Sequence, residues 1–282
     1  MTHMTAQQQI DRLRIVEGEV NYAIDHGGLI RFHAKNSALD TFTYDPHRMS
    51  MIDARTCAEA PSLDREGFAL MHMPTAIDDF RDRARVEAEH PGEIISFIRD
   101  LTKADAVVIA GPGALRFGER AARDDRAQNS RVARLVHSDT SIDGSLAFEG
   151  QYNPHPERTL RRTAHHNIWR TFSPPPQDLP LAVCDFRSVR ESELIIAQAA
   201  FDNDEGEVTW AFEALLFAYS PAHRWHFFPD MSRDEVLVFK RYDSDRTQPW
   251  FVPHTAFEDP SAPADAVPRA SIEMRTISYW YD

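Results

Sequence analysis

The spacing with the most chemistry in it is His137-Ser138-Asp139, which follows the apolar pair Leu135-Val136. On a strand, side chains two residues apart share a face. An imidazole and a carboxylate are then aimed together into one space. They supply two ligands of a two-histidine, one-carboxylate metal site, which leaves positions on Fe(II) open for a chelating co-substrate and O2. The remaining histidine must come from elsewhere. His254 stands in the aromatic and β-branched segment Trp250-Phe251-Val252-Pro253-His254-Thr255-Ala256-Phe257. His223 is the alternative third ligand. It forms an HxxH pair with His226, and that odd spacing sends the two rings to opposite faces of a strand.

Arg269-Ala270-Ser271 follows His254 with the same alternating geometry. A guanidinium fork with an adjacent hydroxyl suits the distal carboxylate of 2-oxoglutarate, whose oxo-acid end then reaches the metal. Asn167 and Arg170 are candidates for binding the co-substrate or a substrate carboxylate, with a structural hydrogen-bonding role as the competing reading of each. Trp225 and Phe228 either line the pocket or belong to plain core. His165-His166, with Arg161 and Arg162, reads as a polar, basic loop available to an acidic substrate. Ser141 and Asp143 can be drawn with His137 into a hydrolase triad, but no GxSxG nucleophile elbow accompanies them.

These residues need strands to hold them. From about residue 131 the texture is that of short strands: Val132 to His137, Leu181 to Asp185, Glu193 to Ala197, Val208 to Tyr219, His223 to Phe228, Glu235 to Arg241, Trp250 to Phe257 and Ser271 to Trp280. Many short strands divided by Pro, Asp, Asn and Gly predict a mainly β protein with flanking helices and a double-stranded β-helix, or jelly-roll, core. Earlier in the chain, Glu19 to Ile24, Thr41 to Tyr44 and Ala106 to Ala110 read as strands. Ile77 to Glu89 and Gly92 to Lys103 read as helices. The expected organisation is a single domain, with residues 1–130 a mixed α/β extension packed on a catalytic core of residues 131–282.

Composition narrows the partners. The 282 residues carry a net charge of −13, which repels a nucleic-acid backbone. Hydrophobic residues make up 42%, enough for a large core. The apolar stretches are too short to span a bilayer, and Met1 to Arg14 lacks the apolar centre of a signal peptide. The only cysteines, Cys57 and Cys184, are far apart and form neither a CxxC zinc motif nor a secreted disulfide scaffold. A soluble, cytoplasmic protein with a small-molecule substrate is expected, with a homodimer possible.

Longer segments carry a family resemblance. They are Asp64-Arg65-Glu66-Gly67-Phe68, Val136-His137-Ser138-Asp139, Asn167-Ile168-Trp169-Arg170, Pro180-Leu181-Ala182-Val183-Cys184-Asp185 with Arg187-Ser188-Val189, the dense run from His223-Arg224-Trp225 to Tyr242-Asp243-Ser244, and Pro253-His254-Thr255-Ala256-Phe257 through Arg269-Ala270-Ser271-Ile272-Glu273-Met274-Arg275. Over roughly residues 60 to 276 the chain resembles the hydroxylase/desaturase family that includes the cephamycin-pathway CmcJ proteins and the fungal gibberellin desaturase. The resemblance implies a jelly roll, Fe(II), 2-oxoglutarate, and oxidation of an unactivated C–H bond in a natural-product-like small molecule. It does not choose between hydroxylation and desaturation. Asp139 fills the position a halide ligand would need, so halogenation is not expected. Gly111-Pro112-Gly113 is not the GxGxxG loop that a nucleotide-dependent methyl transfer would call for. Two other classes compete: a cupin-like protein that holds metal or a small ligand without turnover, and a zinc hydrolase built on the same three residues.

Overall fold

The computed structural model describes residues 13–33, 36–122, 132–203 and 206–282. Residues 1–12, most of the stretch read above for a signal peptide, lie outside them. Fifteen strands and two α-helices are present among the described residues. The wide sheet contains β1 (Ile15–Ile24), β2 (Arg31–His33), β3 (Thr43–Asp53), β7 (His137–Ser138), β9 (Leu181–Cys184), β10 (Leu194–Asp202), β11 (Val208–Phe217), β12 (Trp225–Phe227) and β14 (His254–Ala256). Its order is β1-β3-β12-β9-β14-β7-β11-β10-β2. The narrow sheet runs β4 (Phe68–His72), β13 (Glu235–Asp243), β8 (Leu160–Thr171), β15 (Ala270–Tyr281) and β5 (Ala106–Ile109), with β6 (Ala114–Phe117) also on β15.

The two sheets face one another across a shared core. Leu181 and Val183 of the wide sheet meet Phe68, Trp169, Leu237 and Phe239 of the narrow one in a single buried cluster. This is the jelly roll that the strand pattern predicts. Residue 130 is not a boundary of either sheet, however. β1, β2 and β3 are strands of the wide sheet, and β4, β5 and β6 are strands of the narrow one.

The helices differ from the sequence reading. One helix, α1 (Arg83–Thr102), replaces the two expected, with Pro91 inside it. Val86, His90, Ile94 and Ile98 form its buried stripe, at a spacing of four residues that continues straight through the proline. Asp82 caps its start by accepting from the Arg85 N–H, and Lys103 ends it in the left-handed conformation. The stripe packs on the outer face of the narrow sheet, against Ile168, Val236, Val238, Ile272 and Met274. The second helix, α2 (Ile142–Tyr152), starts just after Asp139 and is capped by Ser141. Ser141 and Asp143, drawn above toward a hydrolase triad, therefore start a helix.

The segment read as a basic loop is the largest departure. Leu160–Thr171 is strand β8, twelve residues at the centre of the narrow sheet, buried almost without break from Thr163 onward. This strand is covered on both faces, by the wide sheet on one side and by α1 on the other. Here the cover falls on His165, His166, Asn167 and Arg170, polar residues that mask the apolar run such a strand ordinarily shows.

Candidate metal centre

Two of the wide sheet's shortest strands create the site. β7 and β14 are antiparallel neighbours, and His137 lies directly opposite His254. The imidazole centroids are 4.3 Å apart. Asp139 follows β7 immediately. One ligand atom from each of His137, Asp139 and His254 can be chosen so that all lie within 4.8 Å of one another, a group able to hold a metal ion.

The imidazoles are oriented before any metal arrives. His137 Nδ1 lies 2.7 Å from the Leu135 carbonyl, and His254 Nδ1 lies 3.0 Å from the Val252 carbonyl. A carbonyl only accepts, so each Nδ1 must carry its proton, which leaves each Nε2 with a lone pair. His137 Nε2 is 3.8 Å from Asp139 Oδ1. Burial, reinforced by His254, pushes the His137 pKa down to about 4. Burial likewise lowers that of His254. Both rings are thus neutral at neutral pH, the state a metal requires of them.

Asp139 is held from the narrow sheet. Its Oδ2 accepts from Asn167 Nδ2 at 2.5 Å and faces Arg275 Nε at 3.4 Å. Burial alone would raise its pKa, but the positive charge of Arg275, with Arg241 adding to it, outweighs burial and keeps the carboxyl ionised. Oδ2 is taken up by these partners, so Oδ1 is left for a cation. Such outer contacts orient and tune metal ligands. The donor set, its protonation and its aim all fit a divalent transition metal.

Asn167 and Arg275 sit opposite each other on β8 and β15. Arg275 also pairs with Glu273 at 2.5 Å. Neither Arg275 nor the buried Arg241 of β13 was singled out as a site residue from the sequence. Their signal was charge inside strands that otherwise read as apolar.

Arg269 and Ser271 lie on the same face of β15 as Arg275. The Arg269 guanidinium stands 5.5 Å from the centre of the Trp169 ring in the inter-sheet core, and Nη1 donates to the Leu179 carbonyl at 2.6 Å. Arg269 Nε is buried without a partner. Ser271 Oγ donates to the Arg116 carbonyl at 3.3 Å.

Other candidates are placed elsewhere. Arg170 is three residues from Asn167 and so faces the opposite side of the sheet. Its guanidinium lies 5.7 Å from the Phe80 ring and donates to the Arg233 carbonyl, beneath α1 and away from Asp139. His223 has both nitrogens engaged, Nδ1 with the Tyr22 hydroxyl at 2.9 Å and Nε2 with Glu193 at 3.0 Å. No lone pair is left for a metal. Trp225 donates to the same Tyr22 hydroxyl and is buried among Phe217, Phe227 and Phe251 on the wide sheet's other face. It is core, not pocket lining. His226 points inward, 5.5 Å from Phe68. Phe228, the other aromatic considered for the pocket, also joins the inter-sheet core.

A jelly roll carrying a His-x-Asp and a late histidine in one buried cluster defines a non-haem metal oxygenase class. The comparisons agree. A family profile described as "Oxidoreductase/YMDC permease-like domain" matches residues 21–279, and the chain belongs to that family. Among the described residues no helix is long and apolar enough to cross a membrane.

Several of its relatives are named dioxygenases or hydroxylase/desaturases. The chain is 27% identical over 248 residues to the Fe(II)/2-oxoglutarate-dependent dioxygenase nvfI of Aspergillus novofumigatus, covering 84% of this chain and 85% of that one. It is 27% identical to the hydroxylase/desaturase CTB9 of Cercospora beticola, over 99% of this chain and 91% of the relative. A solved structure titled iron and alpha-ketoglutarate-dependent endoperoxidase NvfI superposes with a TM-score of 0.80 at 22% identity, covering 95% of this chain and 99% of that one. The chain is thus similar over most of its length to proteins named Fe(II)/2-oxoglutarate-dependent dioxygenase and hydroxylase/desaturase.

Proposed function

We propose that the chain uses Fe(II), 2-oxoglutarate and O2 to hydroxylate or desaturate a small organic molecule, with His137, Asp139 and His254 as the metal ligands. The observation that carries this reading is the converging triad, with both Nδ1 atoms committed to backbone carbonyls. Iron(II) held by these three residues would supply O2 activation, and 2-oxoglutarate would be the co-substrate released as succinate and CO2 as an unactivated C–H bond of the substrate is oxidised.

The protein's own share is placement and charge. Leu135 and Val252 fix the ring orientations through their carbonyls. Asn167 and Arg275 keep Asp139 ionised and turned. Phe239, 4.7 Å from the His254 ring, and Phe32, 6.4 Å from His137, close the site with apolar surface. A dry surround strengthens each of these electrostatic contacts. We assign the far carboxylate of 2-oxoglutarate to Arg269, whose Nε is without a partner, with Ser271 beside it. Every residue in this scheme comes from one chain, so a homodimer is not needed to complete the site. Cys57 and Cys184 are both free, which supports a reducing compartment such as the cytoplasm.

Reconstitution with Fe(II) under argon, followed by 2-oxoglutarate and air, tests the reading. Succinate formation that depends on iron and oxygen is expected. Equal activity with zinc and no oxygen would favour a hydrolase. Bound metal with no succinate across a broad substrate panel would favour a binding protein.

A further inference from the structure

β8 acts as a ruler along the site. Asn167, which holds Asp139, lies opposite Arg275 on one side and Phe239 on the other. Toward the end of β8, Thr171 lies opposite Ser271, next to Arg269. At about 3.3 Å per residue, that level is some 13 Å from Asn167. Toward the start of β8, His165 lies opposite Tyr242, and the register slips between Lys240 and Tyr242. Arg241 is the extra residue of that β-bulge, a device that re-aims a side chain. The two arginines therefore flank Asp139 from opposite ends.

Arg241 is 4% exposed, and its Nε and Nη2 have no hydrogen-bond partner. No ion pair is made by it among the described residues, in contrast to Arg275, which faces both Asp139 and Glu273. Asp139, Glu273, Arg275 and Tyr152 are near enough to act on its charge. His165, fully buried beside it on the inner face, also has both ring nitrogens unpartnered. A buried, unmatched guanidinium is costly unless an anion completes it.

An apolar track leads away from this cation. The guanidinium carbon is 6.0 Å from the Phe148 ring of α2. Phe148 is 5.9 Å from Phe212, which is 5.0 Å from Trp210. Trp210 is half exposed. Trp210, Phe212 and Leu216 alternate on β11, and Leu216 lies opposite His137. This apolar face runs from Leu216, beside the metal ligand His137, through Ala214 to the aromatic pair Phe212 and Trp210 at the solvent end.

We propose that the organic substrate is an amphipathic carboxylic acid, its carboxylate on Arg241 and its apolar body along Phe148 and Phe212. This rests on the oxygenase reading and adds a substrate class to it: Arg269 takes the co-substrate and Arg241 takes the molecule that is oxidised.

The test is calorimetry on the Fe(II)-loaded chain under argon with hydrocinnamate, cinnamate and naphthylacetate, each beside its primary amide. The wild type binds the acids at least about tenfold more tightly than the amides, the effect of one charge-assisted contact. Arg241→Met abolishes that preference and leaves 2-oxoglutarate affinity within about twofold. Arg241→Lys keeps part of the preference, which guards against a folding defect in the first variant. Acids and amides binding equally to the wild type, or neither binding, would overturn the proposal. So would an intact preference in Arg241→Met, or a tenfold loss of 2-oxoglutarate affinity there. Failure of 2-oxoglutarate to bind the wild type instead sinks the oxygenase reading, and the acid-against-amide comparison is read independently of it.

Discussion

The two sheets contribute opposite kinds of chemistry to one centre. The wide sheet supplies lone pairs: His137 and His254 on strands of two and three residues, with Asp139 just beyond. The narrow sheet supplies donors and positive charge on long strands: Asn167 on β8, Arg241 on β13, and Arg275 with Arg269 at β15. The short strands need only place atoms. The long ones bury cations on strands paired along both edges, with the bulge at Arg241 as the exception. A metal held by the triad would thus sit between a sheet of ligands and a sheet of counter-charges.

Removing a counter-charge is the most direct way to break this division. Arg275→Met leaves Asp139 and Glu273 facing each other without their shared cation. It should lower stability by about 3 kcal/mol, the low end for breaking a buried pair because the side chain is partly exposed. Urea unfolding measures this, and an unchanged midpoint would mean the narrow sheet does not balance Asp139. Asn167→Ala should weaken iron(II) binding by about tenfold or more through loss of the contact that turns Asp139. A metal-binding titration reads it directly. Arg269→Ala should raise the 2-oxoglutarate concentration needed for half-maximal succinate formation by about tenfold, with iron affinity unchanged.

The remaining effect concerns pH and accumulates gradually over several pH units. Burial holds His166 down at about 3 and lowers His165 well below its ordinary value. Below about pH 6.5 the unfolded chain takes up protons that the folded chain refuses. Stability therefore falls as pH drops from about 6.5 toward 3, by about 1.4 kcal/mol per pH unit for each such histidine. His166→Gln should remove one proton's share of that slope in urea melts taken across this range.

The convergence of the three candidate ligands was legible because the alternation of a strand puts two of them on one face. His137 and Asp139 announce themselves by alternation, and His254 by an apolar strand around it. The fold class was legible for a similar reason, from short strands and their turns. What escaped was whatever depends on the partner strand. Arg170 and Trp225 carry suitable chemistry, yet each lies on the face of its sheet turned away from Asp139. β8 looked like a loop because its buried positions are histidines, asparagine and arginine. Arg241 owes its direction to a bulge that no residue pattern signals.

The account rests on one iron held jointly by three residues, so metal content of single-ligand variants tests it most directly. Equilibrium dialysis against Fe(II) under argon should give one iron per wild-type chain. His137→Ala, Asp139→Ala and His254→Ala should each lose it while remaining folded by circular dichroism. A folded His254→Ala chain that retains wild-type iron affinity would contradict the shared centre.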